Sequence, residues 1–218
     1  MQSSCMESNW AAEHLQVIRT LMERSALYRR ALAPIMIFNG VVGLAAAGLG
    51  WGLRIGSPRA FILYWASVCV GALAGSFLLV RRQALKESEP FWSPPTRRVS
   101  QALLPPLAAG FLISAVVLVS AGSTPEHATS LAGVVWLPLS WVVLYGCAFH
   151  AAGFFMPRGM KIFGWAFIVG GCGLFAAGIP DCASPLDYAH GVMGLSFGGL
   201  HLAYGVYLYF TERRGNET

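Results

Sequence analysis

Six apolar stretches, each 19 to 23 residues long and free of Asp, Glu, Lys and Arg, dominate this sequence. They occupy residues 31–53, 60–80, 102–121, 131–153, 162–180 and 188–210. A helix of about 20 apolar residues crosses the hydrocarbon core of a bilayer, where backbone groups must be hydrogen-bonded within the segment. The stretches lack the polar–apolar alternation of barrel strands. The sequence therefore predicts an all-α membrane protein whose six transmembrane helices form three hairpins.

The composition excludes a soluble or disordered chain, because 56% of the residues are hydrophobic and only 11% are charged. Soluble domains carry about 25% charged residues. We expect a cytoplasmic segment over 1–30, a six-helix transmembrane domain over 31–210 and a cytoplasmic tail over 211–218. The net charge of +5 has no compact basic domain to carry it, so no nucleic-acid partner is expected.

The distribution of basic residues predicts an orientation. Of the 15 Lys and Arg residues, only Arg54 and Arg59 lie in the first, third or fifth loop. The other 13 flank the opposite ends of the six stretches. Positive residues favour the cytoplasmic side, so both termini should be cytoplasmic.

Residues 9–30 form an amphipathic pattern on a helical wheel, with Ile18 and Met22 near the centre of the apolar face and Arg24 opposite. Such a helix lies in the headgroup layer or docks on a protein. The expected partners are the lipid bilayer and, through residues 9–30, a membrane or cytoplasmic protein.

Three polar side chains stand out inside the apolar stretches: Asn39, His150 and His201. Polar groups at this depth are costly and usually face the bundle interior. Four explanations stand: interhelical hydrogen bonds, a transport path or proton relay, a haem held by His150 and His201, and a metal site. The sequence contains no recognisable catalytic motif, so an enzyme is not expected and no catalytic residue is assigned.

The sixth stretch carries a stripe of small residues. On a helical wheel, Gly194, Gly198 and Gly205 share an 80° arc with His190 and His201. Small residues let a second helix approach closely, so this stripe should be a packing face.

The predicted outer face offers five side chains of metal-ligand type: Glu126, His127, Asp181, Asp187 and His190. They come from separate short loops, so we expect an exposed polar cluster rather than a metal site. No cysteine pair or metal-ligand spacing occurs elsewhere.

Two segments resemble parts of uncharacterised bacterial polytopic membrane proteins: Phe154-Phe155-Met156-Pro157-Arg158-Gly159-Met160-Lys161-Ile162-Phe163-Gly164-Trp165, and His201-Leu202-Ala203-Tyr204-Gly205-Val206-Tyr207-Leu208-Tyr209-Phe210-Thr211-Glu212. The resemblance implies a bacterial inner-membrane location and carries no known activity.

These patterns favour a non-enzymatic accessory, scaffold or signalling subunit of the inner membrane. Two alternatives stay open: a small-molecule transporter or channel lined by Asn39, His150 and His201, and a membrane redox subunit associated with haem or quinone.

Overall fold

The computed structural model describes residues 32–86, 92, 94–120, 131–157, 159–178 and 184–215. Within these ranges the chain is all-helical and has no strand. The predicted amphipathic helix over 9–30 lies outside the described residues. So do Glu126, His127 and Asp181 of the predicted outer-face cluster.

Five helices precede a longer C-terminal one. They are α1 (Leu32–Gly52), α2 (Pro58–Lys86), α3 (Pro94–Ser120), α4 (Leu131–Ala152) and α5 (Gly159–Ala177). The C-terminal helix consists of α6 (Pro185–Met193), a π-helical segment (Gly194–Leu200) and α7 (His201–Gly215). The backbone stays right-handed at both junctions, Gly194 and His201, so these three parts continue one another.

In the described part of the chain, four helices are long and apolar enough to cross a membrane: Leu32–Gly52, Pro58–Lys86, Thr96–Val119 and Gly159–Ala177. In α4 the apolar part, Trp136–Ala152, is shorter. These helices identify a membrane protein with several spans.

Helices α2 and α3 both extend beyond the apolar stretches that predicted them. Helix α2 continues past residue 80 through Arg81 and Arg82, and α3 begins at Pro94, eight residues before the stretch at 102. An apolar stretch ends at the first polar side chains, but the backbone hydrogen bonds of the helix continue past them. Pro94 is a favourable starting residue because its fixed φ suits the first turn and its missing N–H is not needed there.

The turn between α1 and α2 is set by local hydrogen bonds. Arg54 has a φ of +48°, the Ile55 N–H donates to the Gly50 carbonyl and the Arg54 N–H donates to that of Trp51. This is a Schellman motif with arginine where glycine is usual. Helix α2 then starts at Pro58, and the Ala60 N–H donates to the Ser57 hydroxyl oxygen at 3.2 Å, a typical N-cap.

Glycines bring α1 and the C-terminal helix into backbone contact. An added Cβ would lie 2.6 Å from the Leu202 nitrogen at Gly40 and 2.7 Å from the Ile37 nitrogen at Gly205. Gly194 would meet the Ala47 Cβ at 2.6 Å. Residue numbers that increase along α1 face residue numbers that decrease along the C-terminal helix, so the two helices run antiparallel.

Helices α4 and α5 also pack through glycine. A Cβ at Gly146 would lie 2.8 Å from the Gly164 carbonyl oxygen, and one at Gly164 would lie 2.5 Å from the His150 nitrogen. Helix α3 packs against α4. One buried cluster draws on α1, α4, α5 and the C-terminal helix, and a second joins Phe61 and Trp65 of α2 to α1 and the C-terminal helix.

Candidate functional site

A cavity of about 170 Å³ lies between α1, α2, α3, α4 and the C-terminal helix. On α2 its lining residues run from Trp65 to Ser76, so this wall extends about 16 Å along the helix at 1.5 Å per residue. Most of the wall is aliphatic or aromatic, including Val42, Val68 and Leu144. The cavity therefore suits an apolar occupant better than a column of water.

Two exposed side chains belong to the α2 and α3 sides of the cavity. Leu73 of α2 and Phe111 of α3 both line it and are 49% and 42% exposed. Both belong to helices long and apolar enough to cross a membrane.

The strongest polar contact at the cavity joins α4 to α7. The Tyr145 hydroxyl and His201 Nε2 are 2.6 Å apart, and both residues line the cavity. His201 is 1% exposed. Its Nδ1 has no hydrogen-bond partner within the described residues, although the Ser196 and Phe197 carbonyl groups lie close to the ring.

The local backbone explains how His201 reaches this position. His201 directly follows the π-helical segment, which contains Gly194, Gly198 and Gly199. A Cβ at Gly198 would lie 2.7 Å from the Leu44 nitrogen, so the wider turn presses against α1. Short π-helical segments are frequent at functional sites, and here the segment precedes the buried histidine.

Several other polar groups of the wall form hydrogen bonds with each other or with the backbone. The Ser76 hydroxyl donates to Asn39 Oδ1 at 3.1 Å. The Trp141 indole N–H donates to the Ser114 hydroxyl oxygen at 2.9 Å, and that hydroxyl donates to the Gly110 carbonyl at 2.7 Å. The Tyr145–His201 pair differs from these groups, because it includes a buried ring nitrogen, His201 Nδ1, with no hydrogen-bond partner within the described residues.

His150 does not join this site. The structure brings Asn39 and His201 to one cavity, but His150 is not among the described residues that line it. The His150 ring makes edge contacts with Phe154 and Trp165 at centroid distances of 5.6 and 5.4 Å. His150 is half-buried beside Trp165 of α5, and its buried Nδ1 has no hydrogen-bond partner within the described residues.

His190 differs from its expected place in an exposed cluster, because it is 2% exposed. The Trp65 indole N–H donates to His190 Nδ1 at 3.2 Å, and the ring packs edge-on to Phe61 at 4.9 Å. The Gly50 backbone presses on the imidazole, which a Cβ there would overlap. Asp187 is exposed.

The arrangement does not fit the haem suggested by His150 and His201. Axial histidines must face one another across a flat macrocycle, whereas His201 Nε2 is bound to Tyr145 and His150 faces Trp165. Five aromatic rings surround His201 at centroid distances of 5.1 to 6.4 Å, from Tyr145, Phe149, Phe163, Phe167 and Phe197. They fill the space that a porphyrin needs.

No group of three or more His, Cys, Asp or Glu side chains that could hold a metal ion occurs in the described part of the chain. The predicted outer-face cluster falls mainly outside that part. Of its described members, Asp187 is exposed and His190 is buried.

Sequence reasoning missed Tyr145 and Trp65. The position of Tyr145 in its apolar stretch could have identified it. Tyr and Trp concentrate at membrane interfaces, whereas Tyr145 lies well inside the stretch 131–153. An aromatic hydroxyl at that depth needs a partner within the bundle.

In comparisons with protein-family models, curated proteins and solved structures, nothing matches this chain.

Proposed function

We propose that this chain is a non-enzymatic bacterial inner-membrane protein that binds a lipophilic small molecule from the bilayer. In this proposal six spans form three hairpins with both termini cytoplasmic. The six uncharged apolar stretches and the concentration of 13 basic residues on one side support that topology. Ligand binding would then serve an accessory or signalling role, with residues 9–30 as the docking element for a partner.

The observation that carries the proposal is the apolar cavity between the helices, whose lining includes the exposed side chains Leu73 and Phe111. Its volume of about 170 Å³ exceeds that of an apolar cavity of about 150 Å³ that accepts benzene. In this proposal the ligand enters from lipid past Leu73 and Phe111, whose side chains are exposed. A well-formed apolar pocket with few convergent polar groups is typical of small-molecule sites.

The same observation disfavours an aqueous channel. A water path needs polar groups along its length, whereas Val42, Ala72 and Leu144 typify this wall. Asn39 and His201 lie on the cavity, but His150 does not, so the predicted polar path is interrupted.

Photolabelling tests the proposal directly. Purified protein in lipid nanodiscs is irradiated with an alkyl probe that carries a diazirine, and the modified residues are mapped by mass spectrometry. We expect labelling of Leu144, on the cavity wall, to saturate with probe concentration. Labelling of Val70, which is 59% exposed, should rise in proportion to probe in the lipid. Proportional labelling at both residues would contradict a binding site.

A further inference from the structure

The Tyr145–His201 pair carries two donor protons, but the hydrogen bond between the two side chains uses only one of them. A neutral imidazole carries one N–H and a tyrosine carries one O–H. The 2.6 Å contact between the hydroxyl and Nε2 uses one of these two protons. If Tyr145 donates, the second proton is on His201 Nδ1, and if His201 donates, it remains on the Tyr145 oxygen.

When Tyr145 donates, the second proton lies on His201 Nδ1. His201 is 1% exposed, and its Nδ1 has no hydrogen-bond partner within the described residues, although the Ser196 and Phe197 carbonyl groups lie close to the ring. An unsatisfied donor in an apolar interior is costly. A hydrogen-bond acceptor brought into the cavity would remove that cost, and a hydrocarbon would not.

The shape of the site limits the rest of the ligand. A cavity of about 170 Å³ holds a single six-membered ring, and a substituent chain can leave between Leu73 and Phe111 into the lipid. The ring would lie against the wall formed by Trp141 and Phe197.

The depth of Tyr145 and His201 in the proposed membrane favours a ring carbonyl over the ester carbonyl of a phospholipid as the acceptor. Tyr145 is eight residues from the end of the stretch 131–153 and His201 is nine from the end of 188–210. At 1.5 Å per residue these positions lie about 12 and 13 Å inside the proposed membrane boundary, close to the middle of a hydrocarbon core of about 30 Å. Ester groups stay at the interface, whereas a ring carbonyl on an apolar molecule is carried into the core.

We propose that the cavity binds a ring-carbonyl lipid of the alkyl-benzoquinone class, with one carbonyl oxygen accepting the free proton of the Tyr145–His201 pair. This inference rests on the proposed function, because it names the ligand of the same cavity. It concerns binding alone and involves no electron transfer.

The test is competition against the photolabelling of Leu144 in nanodiscs. Decyl-benzoquinone and decylbenzene share chain length and ring size but differ in the carbonyl groups. At equal mole fractions in the lipid, we expect the quinone to compete about 5- to 10-fold more strongly, as one buried hydrogen bond allows. A phospholipid with a shortened acyl chain, which carries only ester carbonyls, should not compete.

The double variant Tyr145→Phe/His201→Leu removes both donors. In it the two decyl compounds should compete equally, while continued competition by decylbenzene shows that the cavity is intact. His150→Leu, off the cavity, should keep the quinone preference. The carbonyl stretching band of the quinone bound to unmodified protein should move to lower wavenumber, which tests the hydrogen bond without any substitution.

Equal competition by both compounds in unmodified protein, or a bound carbonyl band at its hydrocarbon-solvent position, would overturn the ligand class alone. Stronger competition by the phospholipid would assign the site to ester carbonyls instead and would also overturn it. Failure of every compound to compete would overturn the proposed function as well.

Discussion

Gly43 of α1 and Gly198 of the C-terminal helix lie backbone against backbone, so that a Cβ on Gly43 would be 2.7 Å from the Gly198 nitrogen. Gly43 also lines the cavity. The close packing of these two helices therefore also shapes part of the cavity wall.

Gly43→Ala should therefore destabilise the protein by about 1–3 kcal/mol, because the methyl group meets backbone that cannot move aside. Gly48→Ala on the same helix is the control, since a Cβ there meets nothing within 4 Å. That change should be neutral or stabilising, because alanine favours helix over glycine. Thermal unfolding in detergent compares the two, and equal midpoints would contradict the close crossing.

Trp65→Phe should destabilise the protein by about 1–3 kcal/mol, because His190 then loses the donor to its Nδ1 and stays buried. Adding His190→Leu to Trp65→Phe should recover part of that loss, since removing both polar partners is cheaper than removing one. Trp51→Phe, at a largely exposed tryptophan, is the matched control. An additive double variant in unfolding measurements would mean that the hydrogen bond contributes nothing.

Arg54→Gly should raise the unfolding midpoint. Arg54 has a φ of +48°, a conformation that costs a non-glycine residue about 1 kcal/mol. Arg54→Ala removes the same charge but keeps the Cβ, so it should give no such gain. A gain of equal size in both variants would point to charge, not backbone conformation.

The proposed topology predicts which side of the membrane each connection faces. A single cysteine at Asp187, an exposed position, should react with an impermeant maleimide added to intact cells. One at Ser88, in the second loop, should react only after permeabilisation. The reverse pattern would contradict the orientation.

Local patterns in the sequence were enough to predict some of these features. Long uncharged stretches predict membrane helices because hydropathy is a property of each segment alone, and four such helices are present. Gly194, Gly198 and Gly205, which share one predicted stripe, all lie close to α1.

Pairings between helices could not be predicted in the same way. Whether His201 meets Tyr145 or His150 depends on the rotation of α4 about its axis, which its nearly uniform apolar surface does not reveal. The burial of His190 depends on the approach of Trp65 and the Gly50 backbone from two other helices. The π-helical segment also shifts the register of His201 relative to a regular helical wheel.

The most direct measurement of the central claim is the lipophile content of the purified protein. Organic extracts of unmodified protein, Ala72→Phe and Val70→Phe are compared by mass spectrometry. Ala72 lines the cavity and Val70 faces outward on the same helix, so the two variants place the same ring inside and outside the site. A lipophile enriched over bulk lipid in unmodified protein and Val70→Phe, but lost in Ala72→Phe, is the predicted result. Equal content in all three proteins, or no enrichment over bulk lipid, would contradict a ligand-binding cavity.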